Sequence, residues 1–182
     1  MSLIEKTRTI KFDMHKRLVI IAILLAIALI VTLAGVLVLR MDVSEAQKLK
    51  AELQEEFDRL NDPRSIFGNN FFHTLVMFVP VIGPIWGNFV LFNTGTIVAV
   101  IGIADEVPPI LYLFLLMLTP IFWLEFGVYS VAMAQSVVWL LQFLRGRGRK
   151  EAVRTCILVT ICAVILLLAA VVEWVMISVG AG

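Results

Sequence analysis

Residues 18–39 read LVIIAILLAIALIVTLAGVLVL, an apolar run without a charge. At 1.5 Å per residue a helix of this length reaches about 33 Å, enough to cross a hydrocarbon core of about 30 Å. The competing reading is a cleaved signal peptide. Its apolar region would run only about 7–15 residues, and no A-x-A-like site precedes Arg40. Upstream lie Lys6, Arg8, Lys11, Lys16 and Arg17. The positive-inside rule places this basic N-terminus, residues 1–17, in the cytoplasm and sends Arg40 outside.

The remaining chain has the same character. Of 182 residues, 60% are hydrophobic and 16% charged, with a mean hydropathy of +0.98. Soluble domains run at about 45–50% apolar and 25% charged, so this chain would leave too much apolar surface in water. The expected partner is the lipid bilayer. A net charge of +1 creates no field that would draw nucleic acid, and none is expected as a partner.

Downstream of Arg40, residues 43–62 are charged but periodic. Leu49, Leu53, Phe57 and Leu60 fall on one helical face, which predicts an extracytoplasmic amphipathic helix. Ser44 with Gln47 fits a capping box, and Asn61-Asp62-Pro63 ends the helix. Its mixed charges suit a helix lying on the rest of the protein or on a partner better than one adsorbed to anionic lipid.

Residues 66–104 are too long for one crossing and are interrupted by Pro80, Gly83, Pro84 and Gly87. They predict two short helices, about Asn69 to Val81 and Trp86 to Ile103, joined by a tight cytoplasmic turn. Backbone broken in this way is tolerated only where it is buried in protein or lines a cavity. Asp105 and Glu106 mark an outside loop. Residues 110–144 are divided by Thr119-Pro120, and Arg145, Arg147, Arg149, Lys150 and Arg154 form a basic loop at 145–154 that belongs inside. A half-crossing or re-entrant helix at 110–119 followed by a full helix at 121–144 satisfies that side; six complete crossings would not. A last helix over 153–179 leaves the C-terminus outside. The fold class is therefore an all-α polytopic membrane protein with about five crossings plus one re-entrant or half helix. Residues 66–179 form its core bundle, and the location is the cell membrane.

Polar groups at membrane depth are the candidate functional residues, because a carboxylate there costs roughly 2.5–3.5 kcal/mol and demands a partner, a cavity or a proton. Glu125 and Glu173 are the two carboxylates. Asn69, Asn70, His73 and Thr74 open the second apolar helix, and Asn88, Asn93, Thr94 and Thr96 follow in the third. Bonding between helices is the plain account of such groups, and a polar pathway is the functional one. Gly95 with Ala99, and Gly127 with Ser130 and Ala134, have the spacing for close helix approach, inside the chain or in a homo-oligomer. Cys156 and Cys162 share one apolar run without a CxxC and read as packing residues. His73 lacks a second ligand at metal spacing, so neither a metal nor a cofactor is expected. No nucleophile elbow, phosphate loop or HExxH motif is present, and an enzyme is not expected.

Four short elements together carry a family resemblance. Ile66-Phe67-Gly68-Asn69-Asn70, Leu91-Phe92-Asn93-Thr94-Gly95, Pro120-Ile121-Phe122-Trp123-Leu124-Glu125 and Ala169-Ala170-Val171-Val172-Glu173-Trp174 resemble, in order and spacing, the stage II sporulation protein M family. In that family an Asn opens one helix, an Asn-Gly element sits in the next, and Pro-His-Gly…Glu and Ala-Ala-x-x-Glu-aromatic elements follow. Here Thr94 interrupts Asn-Gly, Ile121-Phe122 stands for His-Gly, and Gly127-Val128 stands for a Pro-Ala after the Glu. The resemblance implies a small helical membrane protein. The founding member anchors cell-wall hydrolases during engulfment, and other members occur in bacteria and archaea that form no spores. The expected function is scaffolding or remodelling of a membrane-associated complex, with protein partners or a homo-oligomer. The alternative is transport of a small solute or ion, or the permease half of an exporter.

Overall fold

The computed structural model describes the backbone of residues 3–59, 62–144 and 148–180, and the side chains of 14–55, 62–144, 148–149 and 151–178. The side chains of Lys6, Arg8, Lys11, Phe57, Leu60, Arg145, Arg147 and Lys150 lie outside the described residues. Seven helices and no strand occur among the described residues: α1 (Leu3–Val38), α2 (Val43–Arg59), α3 (Pro63–Met77), α4 (Ile82–Ala104), α5 (Pro109–Met117), α6 (Pro120–Leu144) and α7 (Gly148–Gly180). Four stretches are long and apolar enough to cross a membrane: Met14–Val38, Ile82–Ala104, Pro120–Leu144 and Glu151–Ser178. The chain is thus an all-α polytopic protein built for a bilayer. Its outward faces agree, since Ile30, Leu37, Ile85, Phe114, Ile157 and Leu168 are exposed. In water such faces would cost solubility; in lipid they are the required surface.

Direction along the bundle follows from the contacts. Near one end, Arg17 of α1 meets Gln135 of α6 and Glu151 of α7, and Ser136 donates to the Val79 carbonyl in the turn between α3 and α4 at 2.7 Å. Helices α1, α4 and α7 therefore run away from that end, and α3 and α6 return to it. At the opposite end Lys50 of α2 bonds Asp105, which follows α4, and Trp123 of α6 donates to the carbonyl of Met117 in α5. With nine residues, α5 is too short to cross, and it starts and finishes at this far end.

Local boundaries differ from the sequence reading in two informative places. Asn61-Asp62-Pro63 was expected to stop α2; it also starts α3, six residues before Asn69. The Asp62 carboxylate accepts the amides of Arg64 at 2.8 Å and Ser65 at 3.2 Å, and Pro63 fills a helical position that needs no donor. The Ser65 hydroxyl and then these two amides hold the Asp62 carboxyl below its ordinary value. Asn69 accordingly sits in the second turn of α3 and does not open it. Likewise α2 begins at Val43, and the carbonyl of Asp42 accepts the Glu45 and Ala46 amides, so Ser44 lies inside the helix where a capping box does not apply.

The α3–α4 turn is tighter than its glycines suggest. Its positive φ falls on Val81 (φ 71°, ψ −51°), and the Ile82 amide bonds the Pro80 carbonyl at 2.9 Å, which closes a three-residue γ-turn of the strained hand. Gly83 serves close approach instead, since a Cβ there would lie 1.9 Å from the Met77 carbonyl oxygen. A β-branched residue at positive φ costs of order 1–3 kcal/mol. Val81→Gly is therefore expected to raise the midpoint of unfolding in a detergent-denaturant titration, by about 1 kcal/mol after the entropy glycine adds to the unfolded chain.

At the first end a polar cluster joins three helices. Arg17 donates to Glu151 at 2.9 Å and to Gln135 at 3.1 Å. Gln135 in turn donates to Glu151 and to Thr155, each at 2.9 Å. The Glu151 side chain is only 5% exposed and that of Arg17 18%, so this pair is largely withdrawn from solvent. Replacing Glu151 by Ala strands the guanidinium in the bundle and is expected to cost roughly 3 kcal/mol in the same unfolding measurement, whereas Arg154→Ala, whose partly exposed side chain lies 3.8 Å from Glu151, should cost well under about 1 kcal/mol.

Candidate functional site

A cavity of about 270 Å³ lies between α3, α4 and α6. Helix α3 supplies Asn69, Asn70 and His73, α6 supplies Glu125, Phe126 and Tyr129, and α4 contributes Trp86, Phe89, Asn93 and Thr94. Asn69, Phe89 and Asn93 are exposed, so the cavity opens on the flank between α3 and α4. Its depth follows from helix register. A Cβ on Gly83 would meet Ser136, and one on Gly87 would meet Met133. That antiparallel register, carried along α6, sets Glu125 level with Thr94 and Gly95, the middle of α4.

Glu125 is thus level with the middle of α4, yet it lies only two residues past Trp123 in α6, toward the end of the bundle that carries α5. Asn70 donates to its Oε1 at 2.6 Å, and Asn70 is its hydrogen-bond partner among the described residues. The Trp86 indole donates to His73 Nδ1 at 3.3 Å, which leaves the imidazole proton on Nε2 in the neutral ring. The rings of His73 and Trp86 are 5.8 Å apart and those of Trp86 and Phe89 5.7 Å. Phe126 and Tyr129 are buried behind them.

Of the residues singled out from sequence, the structure brings Asn69, Asn70, Asn93 and Glu125 into this one cavity. Glu173 of α7 is half-buried and close enough to interact electrostatically with Glu125, though it does not line the cavity. Gly95 sits elsewhere: a Cβ there would fall 2.1 Å from the Thr32 carbonyl oxygen of α1, and one on Gly35 would fall 2.3 Å from that of Phe92. These glycines let α1 and α4 cross backbone to backbone. Gly127 does not work this way, since a Cβ there would meet nothing within 4 Å.

Half of the polar side chains read as bonds between helices turn back on their own helix. Asn88 donates to the Pro84 carbonyl, Thr94 to Val90 and Thr96 to Asn93. An i−4 carbonyl is always within reach, whereas a partner helix has to be at the right height. The aromatic wall at Trp86, Phe126 and Tyr129 escaped the sequence reading. Its signal was the pair Glu125 and Tyr129 at i, i+4, which places a ring one turn from the carboxylate.

The chain matches no family model, no curated protein and no solved structure. Chemically the cavity offers one carboxylate, carboxamides and aromatic faces. No group of three or more His, Cys, Asp or Glu that could hold a metal occurs among the described residues. Replacing Asn70 by Leu removes the one interhelical donor to Glu125 and is expected to destabilise the protein by about 1–2 kcal/mol. Glu125→Gln keeps an oxygen for Asn70 and should cost less than half as much; the two unfolding curves measured side by side check the order.

Proposed function

We propose that the protein is a non-enzymatic membrane scaffold that holds or remodels a membrane-associated complex, with α2 as its docking platform. The observation that carries this reading is the fixing of α2 on the bundle. Lys50 bonds Asp105, and Tyr112 donates to the other oxygen of the same carboxylate at 2.8 Å, tying α2, the loop after α4 and α5 to one group. Ala46 is buried beneath, while Glu45, Gln47, Lys48, Glu52, Gln54 and Glu55 are exposed. A helix held in this way presents a fixed charged surface, and a partner that docks on it need not order it first.

Positive-inside logic would put the end bearing Arg17 and Arg154 in the cytoplasm and α2 outside. The resemblance to the stage II sporulation protein M family supports the same reading, because its founding member anchors a complex from within the membrane. A second reading, a small-solute or ion transporter or a permease subunit, is supported by the polar cavity between α3, α4 and α6 beside a broken helix pair, since transporters bind substrate against discontinuous helices.

Crosslinking in native membranes followed by purification tests the platform. Lys50→Glu places like charges together and is expected to lose the crosslinked partners with no measurable change in global stability, and Lys50→Asp combined with Asp105→Lys to regain them. A partner set unchanged in both variants would overturn the platform. Lys50 first and then Tyr112 hold the Asp105 carboxyl below its ordinary value of 3.8. The contribution of a depressed carboxyl is complete above that value and lost as pH falls through the lowered one. Partner retention is thus expected to be flat from neutral pH down to about pH 5 and to fail only in stronger acid. Vesicles reconstituted with the protein that showed Glu125-dependent, substrate-coupled flux would favour the second reading.

A further inference from the structure

Glu125 lacks what Glu151 and Asp105 have, a base of the same chain. Glu151 is faced by Arg17 and Arg154, and Asp105 by Lys50. Glu125 has an amide on one oxygen, and the charged group that acts on it is a second acid, Glu173. Its other oxygen has no hydrogen-bond partner among the described residues, and Glu125 lines the cavity. A carboxyl group open to a cavity, with no base of this chain beside it, offers a place for a cation from outside the chain.

We propose that the cavity binds a small organic ammonium ion, with Glu125 as its counter-ion and the rings of Trp86, Phe89 and Tyr129 as its walls. Three observations select this chemistry. Aromatic faces attract cations electrostatically and favour alkylated ammonium, which is weakly hydrated, over a bare metal ion. A volume of about 270 Å³ lies just below the roughly 300–1,000 Å³ of sites for drug-sized molecules, so it fits a molecule of a few carbons and leaves an inorganic cation loosely held. Asn93 and Asn69 at the mouth add carbonyl oxygens for an ammonium that carries N–H groups. The mouth on the α3–α4 flank admits either a free solute or the ammonium headgroup of a lipid, and the shared group is the same. This site is independent of both functional readings above, since a ligand there could lock a scaffold or be cargo.

The test uses the full-length protein in detergent, with choline chloride as probe and its uncharged tert-butyl analogue, sodium chloride and potassium chloride as comparisons. Binding is read by tryptophan fluorescence and by the shift in thermal midpoint. Choline is expected to bind saturably and the analogue at least tenfold more weakly. Glu125→Gln, which keeps an oxygen for Asn70 and so loses only a small part of the stability, should lose at least tenfold in choline affinity. Trp86→Leu should lose roughly 3- to 30-fold, the span of an exposed to a desolvated cation–π contact. Equal binding of the neutral analogue, displacement by sodium or potassium at matched concentration, or a Glu125→Gln variant that binds choline normally would each overturn the proposal. Nanodiscs separate the two sources. Choline binding in phosphatidylglycerol discs that vanishes in phosphatidylcholine discs identifies the ligand as a lipid headgroup, and equal binding in both identifies a free solute.

Discussion

Arg17 reaches from α1 into a cluster of Gln135, Glu151 and Thr155, and that contact fixes the height of three helices against one another. Height is the coordinate that a bilayer leaves soft. Lipid tails are as apolar as leucine, so one apolar helix can slide along another with little change in buried surface. A forked guanidinium on a carboxylate removes that freedom because its geometry is met at one register. With α1 set, Gly35 comes level with Gly95, the place where the backbones of α1 and α4 can touch. With α4 set, Gly83 falls on Ser136 and Gly87 on Met133, and α6 is fixed in turn. The depth of Glu125 is the last consequence of this sequence of contacts.

The cavity exists because α3 does not pack as α1 does. Glycines draw α1 and α4 together, and Gly83 and Gly87 draw α4 to α6, so those seams close. At the level of Glu125, α3 presents asparagines to α4 and α6, and α4 answers with Asn93 and Thr94. Short polar side chains between aromatic rings fill space poorly. The γ-turn at Val81 contributes by forcing α3 and α4 into a narrow hairpin. Strain there persists because Gly83 and Ser136 hold both sides of the turn.

Much of this was legible in the sequence because the bilayer imposes length as well as composition. Three of the four long helices follow from apolar runs, and the half helix before Pro120 follows from the need to keep the basic loop on one side; α4, read as a short helix over 86–103, begins at Ile82 and is long enough to cross. Asn70 and Glu125 were legible as candidates because a polar group at depth is costly whatever its partner. Partner identity was not legible. Gln135, Glu151 and Thr155 join Arg17 through separations of 16 to 134 residues, and nothing in local periodicity encodes such distances. Start signals were misplaced where one motif has two readings, as at Asn61-Asp62-Pro63, which ends one helix and caps the next. The role of Gly95 was read from spacing alone, which shows that a close approach is possible but not whether it occurs within the chain, at a second copy or in the cavity.

Compensation of charge separates the acids that build this protein from the one that has work left to do. Glu151 and Asp105 lie at opposite ends, and each is met by a base of the same chain; for the buried Glu151 that base offsets the cost of burial. Glu125 has an amide and a second acid for company. The bond to Asn70 does not itself require a carboxyl group, since a glutamine would keep an oxygen for it. An ionisable side chain that lines a cavity and has no base of its own chain is accounted for by a cation that enters the cavity, as proposed above.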